Sequence, residues 1–177
     1  MGTLKTTNIQ SISGSGTVTL GTSGETFAVG SGVTTTINRP AFQAVANSSQ
    51  SISNTTDTKL TFGTENYDTD SAFASDKFTV PAGQGGKYLF QVTAALAGTL
   101  DAGHNLRTSF YKNGSAVTRT LARWYVSGTN QDAFSMSILI DDLSVSDYIE
   151  AYVYHNSGGT AGLTQNEVSI SGYKLGA

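Results

Sequence analysis

Residues 143–154 and 168–175 constrain this chain more than any other stretch, because both alternate strictly between apolar and polar side chains. Alternation at a period of two is the mark of a β-strand whose successive side chains point to opposite faces, one of them buried. In the first run Ile149, Ala151 and Val153 share one phase, and their small or branched side chains suit the space between two packed sheets. The opposite phase carries Tyr148, Tyr152 and Tyr154, with Tyr173 as a neighbour from the second run. A face that ought to be solvated but is tyrosine-rich predicts contact with another protein surface, since tyrosine offers large area at low entropic cost. The last strand is expected inside a sheet, because an exposed terminal strand invites aggregation.

The rest of the sequence agrees with an all-β chain. Thr, Val, Tyr and Phe favour strands, and Gly, Asn and Asp favour the turns between them. No window sustains a helical period. Only 13% of residues are charged, against an average of about 25%. A net charge of −3, with Lys and Arg scattered singly, argues against a nucleic-acid partner. Nothing approaches the roughly 18 apolar residues of a membrane-spanning helix, so membrane insertion is not expected. There is no cysteine and hence no disulfide framework. The chain opens at Met1 without a basic-then-apolar leader, which predicts synthesis in a cytoplasm.

Two regions are expected. Residues 1–38 hold short apolar-dotted pieces closed by Gly or Ser-Gly, too small to bury a core alone. Regularly placed Ile9, Ile12, Val18, Leu20, Phe27 and Val29 set them apart from a plain linker and predict a β-rich anchor or stem. Asn38-Arg39-Pro40 marks the boundary, since proline forces its neighbour extended. From residue 39 to 177 the pattern predicts eight to ten strands, at 41–45, 59–62, 77–80, 86–96, 106–111, 116–125, 133–140, 147–154 and 167–175. Asn113-Gly114 predicts a tight hairpin, because both residues tolerate positive φ.

The order of motifs resembles one family. Ala41-Phe42 opens the domain, followed by Asn66-Tyr67-Asp68, then Phe78-Thr79-Val80-Pro81-Ala82-Gly83 and Gly86-Lys87-Tyr88-Leu89-Phe90. Leu143-Ser144-Val145-Ser146-Asp147-Tyr148-Ile149 and Ser169-Ile170-Ser171-Gly172-Tyr173 close it. This succession, over residues 40–177, is similar to the C1q/TNF-like jelly roll, and the resemblance implies an antiparallel jelly-roll sandwich that forms homotrimers. Departures are the inserted Gln84 and Gly85, Ser146 in place of a glycine before Asp147, and Ile170 and Tyr173 in place of phenylalanines. The start, Leu4-Lys5-Thr6-Thr7-Asn8-Ile9-Gln10-Ser11-Ile12-Ser13-Gly14, resembles the starts of small structural proteins of tailed bacteriophages, marine and cyanobacterial types among them.

Chemistry is harder to find. His104 and His155 lie outside any nucleophile motif and read as exposed loop residues; no phosphate loop and no His-Glu-x-x-His occur. No catalytic residue, metal ligand or cofactor is assigned, and the chain is expected not to be an enzyme. Asp68-x-Asp70 and Asp141-Asp142 carry oxygens suited to a hard cation, calcium included, though solvated turns use the same residues. Arg119, Arg123, Trp124 and Tyr125 form the most suggestive cluster. Trp124 reads first as a core residue, then as an interface anchor, and last as a glycan platform. Together these readings predict a trimeric, non-enzymatic structural protein on a virion surface, docked to other virion proteins as a head decoration or short head fibre. The alternatives are a tail-fibre tip that binds a host receptor or glycan, and a carbohydrate-binding module.

Overall fold

A computed structural model of the protein describes residues 39–176. The expected anchor residues Ile9, Ile12, Val18, Leu20, Phe27 and Val29 lie outside the described residues. The strands are β1 (Ala41–Val45), β2 (Ser51–Ile52), β3 (Thr58–Lys59), β4 (Thr64–Asp68) and β5 (Phe73–Ala74). They continue as β6 (Lys77–Thr79), β7 (Gly86–Leu100), β8 (Asn105–Lys112), β9 (Ser115–Ala116) and β10 (Ala122–Tyr125). The last four are β11 (Gln131–Leu143), β12 (Tyr148–His155), β13 (Ala161–Leu163) and β14 (Ser169–Gly176).

They form two antiparallel sheets. The first runs β2-β13-β7-β14-β1-β4, with β11 on the free side of β7; the second runs β10-β8-β12-β6-β5, with β3 against β12 and β9 against β8. The strand order is that of a jelly-roll sandwich, as the motif order predicts. β14 lies between β7 and β1, so the last strand is internal.

The core fills the gap between the sheets. Phe42, Phe78, Tyr88, Phe90 and Phe110 are all buried, and Phe42 stacks on Phe73 with centroids 4.7 Å apart. Ile149, Ala151 and Val153 are fully buried, on the phase that alternation assigns to the interior. Each large apolar side chain so buried stabilises the fold by about 1.5–3 kcal/mol. Gly172 fits here because a Cβ would lie 2.4 Å from Phe90 Cδ1 and 2.8 Å from Phe42 Cε1. Tyr88 donates its hydroxyl to the Gln84 carbonyl at 2.7 Å. Burial, and then the charge of Asp70, pushes its phenol up to about 12. The inserted Gln84 thereby gives a buried hydroxyl its acceptor.

Several local readings change: the strand expected at 59–62 is confined to Thr58–Lys59, and short strands form at Ser51–Ile52 and Phe73–Ala74 where none was expected. Residues 64–68 form a strand, although their side chains are almost all exposed and carry no apolar alternation. Residues 116–125 are broken by a 3₁₀ turn at Thr118–Thr120. The buried Thr120 hydroxyl accepts from Phe110 N–H at 3.0 Å and donates to Val117 O at 2.7 Å, fixing that break. A short strand at Ala161–Leu163 also appears, pairing β7 with β2. The Asn113-Gly114 hairpin forms with φ of 51° and 77°, joining β8 to β9.

Candidate interaction surfaces

β11 has reversed amphipathicity. Its inward phase holds Ala133, Ser135, Ser137 and Leu139, all buried, whereas its outward phase holds Phe134, Met136, Ile138 and Ile140, each 43–56% exposed. The inward serines are satisfied: Ser135 Oγ accepts from Thr108 N–H at 3.1 Å and bonds Thr108 Oγ1, which also meets Ser137 Oγ at 2.7 Å. Register extends the outward row across the sheet, since Ile140 opposes Leu89 and Leu89 opposes Tyr173. Tyr173 (47%) and Leu175 (39%) are exposed on β14. Beyond that row the face is mainly polar: Ile138 opposes Gln91, which opposes Ser171, which opposes Gln43, with the exposed Tyr67 next on β4. Four large apolar side chains in line on one strand, rimmed by polar groups, make the kind of patch that marks a protein contact.

The four tyrosines expected to share an interface do not share a surface. Tyr148, Tyr152 and Tyr154 lie on β12 in the second sheet, while Tyr173 lies on β14 in the first. The three on β12 do share the outer face, but each is already covered by its own chain. Tyr152 stacks on Tyr111 with centroids 3.8 Å apart, Arg107 sits 4.2 Å over Tyr154, and Lys77 sits 4.6 Å over Tyr148. Burial is the main cause that pushes the Tyr111 and Tyr152 phenols above their usual value. The alternation identifies residues on a common face; it does not tell which sheet the strand enters.

The Arg119–Tyr125 cluster also divides. Arg119 leaves the group to pair with Asp141 at 2.9 Å. Trp124 is 52% exposed at the edge where the two sheets approach, in a groove of about 240 Å³ with Phe134 and Met136. It is therefore no core tryptophan. Arg123 and Tyr125 are on the opposite phase of β10 from Trp124, although Arg123 also borders that groove, and Arg123 Nη1 donates to the Tyr125 hydroxyl at 2.7 Å.

His155 is fully buried, not an exposed loop residue. Its Nε2 meets the Ile52 carbonyl at 3.0 Å, so that nitrogen carries the proton and Nδ1 accepts from Ser157, whose Oγ is 2.9 Å away and N–H 3.3 Å. Both nitrogens thus serve as structural ties. Asp68 accepts from the Phe73 and Asp70 backbone N–H groups at 2.7 and 3.3 Å, closing its own loop. Asp141 faces Lys112 and Arg119. Among the described residues no cluster of three or more His, Cys, Asp or Glu is placed to hold a metal ion.

The two sheets and their strand order define a C1q/TNF-like jelly roll. The globular domain of zebrafish complement 1qA protein matches with a TM-score of 0.52 and 15% identity, covering 77% of this chain and 98% of that one. Murine APRIL matches at 0.56 and 13%, covering 78% and 100%. Eiger TNF from S. frugiperda matches at 0.53 and 14%, covering 78% and 93%. No protein-family model matches the chain, and no curated protein matches it in sequence.

Proposed function

We propose that this protein is a non-enzymatic structural component of a bacteriophage particle, a homotrimer displayed on the virion surface as a head decoration or short head fibre. The observation that carries the self-association is the outward row Phe134, Met136, Ile138 and Ile140, to which Leu89 and Tyr173 are joined by register. A second copy of the chain covers this face. Three copies follow from the resemblance to a domain family of homotrimers. The virion assignment rests on the phage-like opening at residues 4–14 and the absence of cysteine. In this reading residues 1–38 dock on a virion protein through Ile9, Ile12, Val18, Leu20, Phe27 and Val29, and the host cytoplasm is the place of synthesis.

A second reading, a receptor-binding tail tip, is favoured by the exposure of Trp124 and Tyr125 at a sheet edge. Copy number on intact particles separates the two. A decoration protein is present in dozens to hundreds of copies, a tail tip in few, and absence from purified particles overturns both. Light scattering of the isolated protein at micromolar concentration tests the trimer independently, and a folded monomer overturns it.

A further inference from the structure

The outer face of the second sheet, at its β10 end, carries features that self-association through the first sheet leaves unexplained. Register places Arg123 opposite Arg107 and Tyr125 opposite Asn105, and on the other side of β8 places Arg107 opposite Tyr154. Five polar or aromatic side chains thus share one face across three strands. We propose that they form a binding site for a saccharide carrying a carboxylate.

Three observations support the ligand class. Two like charges directly opposite on paired strands destabilise a sheet unless each is compensated. Arg107 is compensated, paired with Asp57 and laid over Tyr154. Arg123 is exposed and bonded only to the Tyr125 phenol, and among the described residues no carboxylate lies within ion-pair distance of it. A planar guanidinium with free donors is suited to a bidentate carboxylate. Asn105 Oδ1 and Arg107 Nε are both buried without a hydrogen-bond partner. One is an acceptor and the other a donor, two residues apart on one face and so separated by roughly 7 Å along the strand. A leftover pair of opposite hydrogen-bonding sense is what the hydroxyls of a sugar satisfy, since each hydroxyl both donates and accepts. Finally, Tyr125 is 62% exposed; Arg123 sits 5.5 Å over its ring on one side, and the opposite face is left for the C–H side of a pyranose. Asn105 Oδ1 and Arg107 Nε are shut off from solvent, so their pairing with a ligand requires side chains on the β10 edge to turn aside.

The test is calorimetric titration of the full chain with sialyllactose, a galacturonic acid trisaccharide and neutral lactose. An acidic saccharide binds, with lactose at least about tenfold weaker, and the acid that binds tells a sialic acid source from a uronate source. Arg123→Ala and Tyr125→Ala each weaken the binding by about tenfold or more, and Arg123→Lys weakens it less than Arg123→Ala. Circular dichroism of both variants matches the parent because both side chains are exposed, and light scattering of Tyr125→Ala, which does not line the groove with Phe134 and Met136, matches it too. Absence of binding to either acidic saccharide, equal binding of lactose, or binding unchanged in both alanine variants overturns the site while leaving the trimer reading untouched.

Discussion

Replacing Ile138 by lysine is the sharpest test of the β11 face. Ile138 is 49% exposed, so about half its side chain remains to be covered by a second copy. Full burial of an isoleucine is worth about 1.5–3 kcal/mol, which leaves about 1 kcal/mol per copy to be lost. The lysine adds more, because an ammonium taken from water without a partner costs several kcal/mol even after relaxation. The residues opposite and beyond it on this face, Gln91, Ser171 and Gln43, are uncharged and offer no counter-ion. A weakening of about 3 kcal/mol per interface is the modest end of this range, and it corresponds to roughly a hundredfold in dissociation constant. The monomer fold itself changes by no more than about 0.5 kcal/mol, since the position faces outward. Sedimentation velocity across a concentration series reads the association, and urea unfolding of the dissociated chain reads the fold. Ile138→Lys that keeps the parent's oligomer at the same concentrations, with its fold intact, refutes the assignment of this face.

Gly172→Ala forces a methyl into the Phe42 and Phe90 rings, and the urea midpoint falls by the equivalent of about 1–3 kcal/mol with the slope unchanged. Ser146 holds φ at 71°, a left-handed conformation that costs an L-residue about 1–2 kcal/mol. Ser146→Gly therefore raises Tm by a few degrees in a thermal melt; a lower Tm contradicts the strain. Asp147 is held below the usual carboxylate range first by the Asn113 side chain, with the Ser144 N–H and Lys112 adding to it. A lowered folded value means stability that is present above the unfolded carboxylate value of about 3.9 and is lost as pH falls through the folded one. Asp147→Asn is thus less stable than the parent at pH 7 and loses less stability between about pH 4 and pH 2, as followed by urea midpoints.

Much of this fold is legible in the sequence where local pattern and burial agree. The phase of Ile149, Ala151 and Val153 and the Asn113-Gly114 turn are dictated by side-chain period and turn chemistry. The interaction surface is less so. In Phe134-Ser135-Met136-Ser137-Ile138-Leu139-Ile140 the pattern shows two phases, and the usual rule buries the larger one. Here the small serines point inward because Thr108 and the Ala122 carbonyl offer them partners, a match between distant strands that a single sequence does not display. The signal that finds it is the pairing of serine with large apolar residues on alternate positions. The partial cover of Tyr148, Tyr152 and Tyr154 is hidden in the sequence for the converse reason: Arg107, Lys77 and Tyr111, which lie against them, come from other strands. His155 is likewise tied to Ile52, far along the chain.

The central place of β14 has a consequence for how the molecule is made. β1 and β7 each pair with β14 and not with each other, so until β14 enters between them each offers an open row of amide and carbonyl groups. A nascent polypeptide emerging from the ribosome therefore carries a gap in its first sheet until residues 169–176 are made. Closure of that sheet waits on residues 169–176, far along the chain from β1, and pairings of such long sequence separation fold slowly and leave the open sheet prone to sticking to its neighbours.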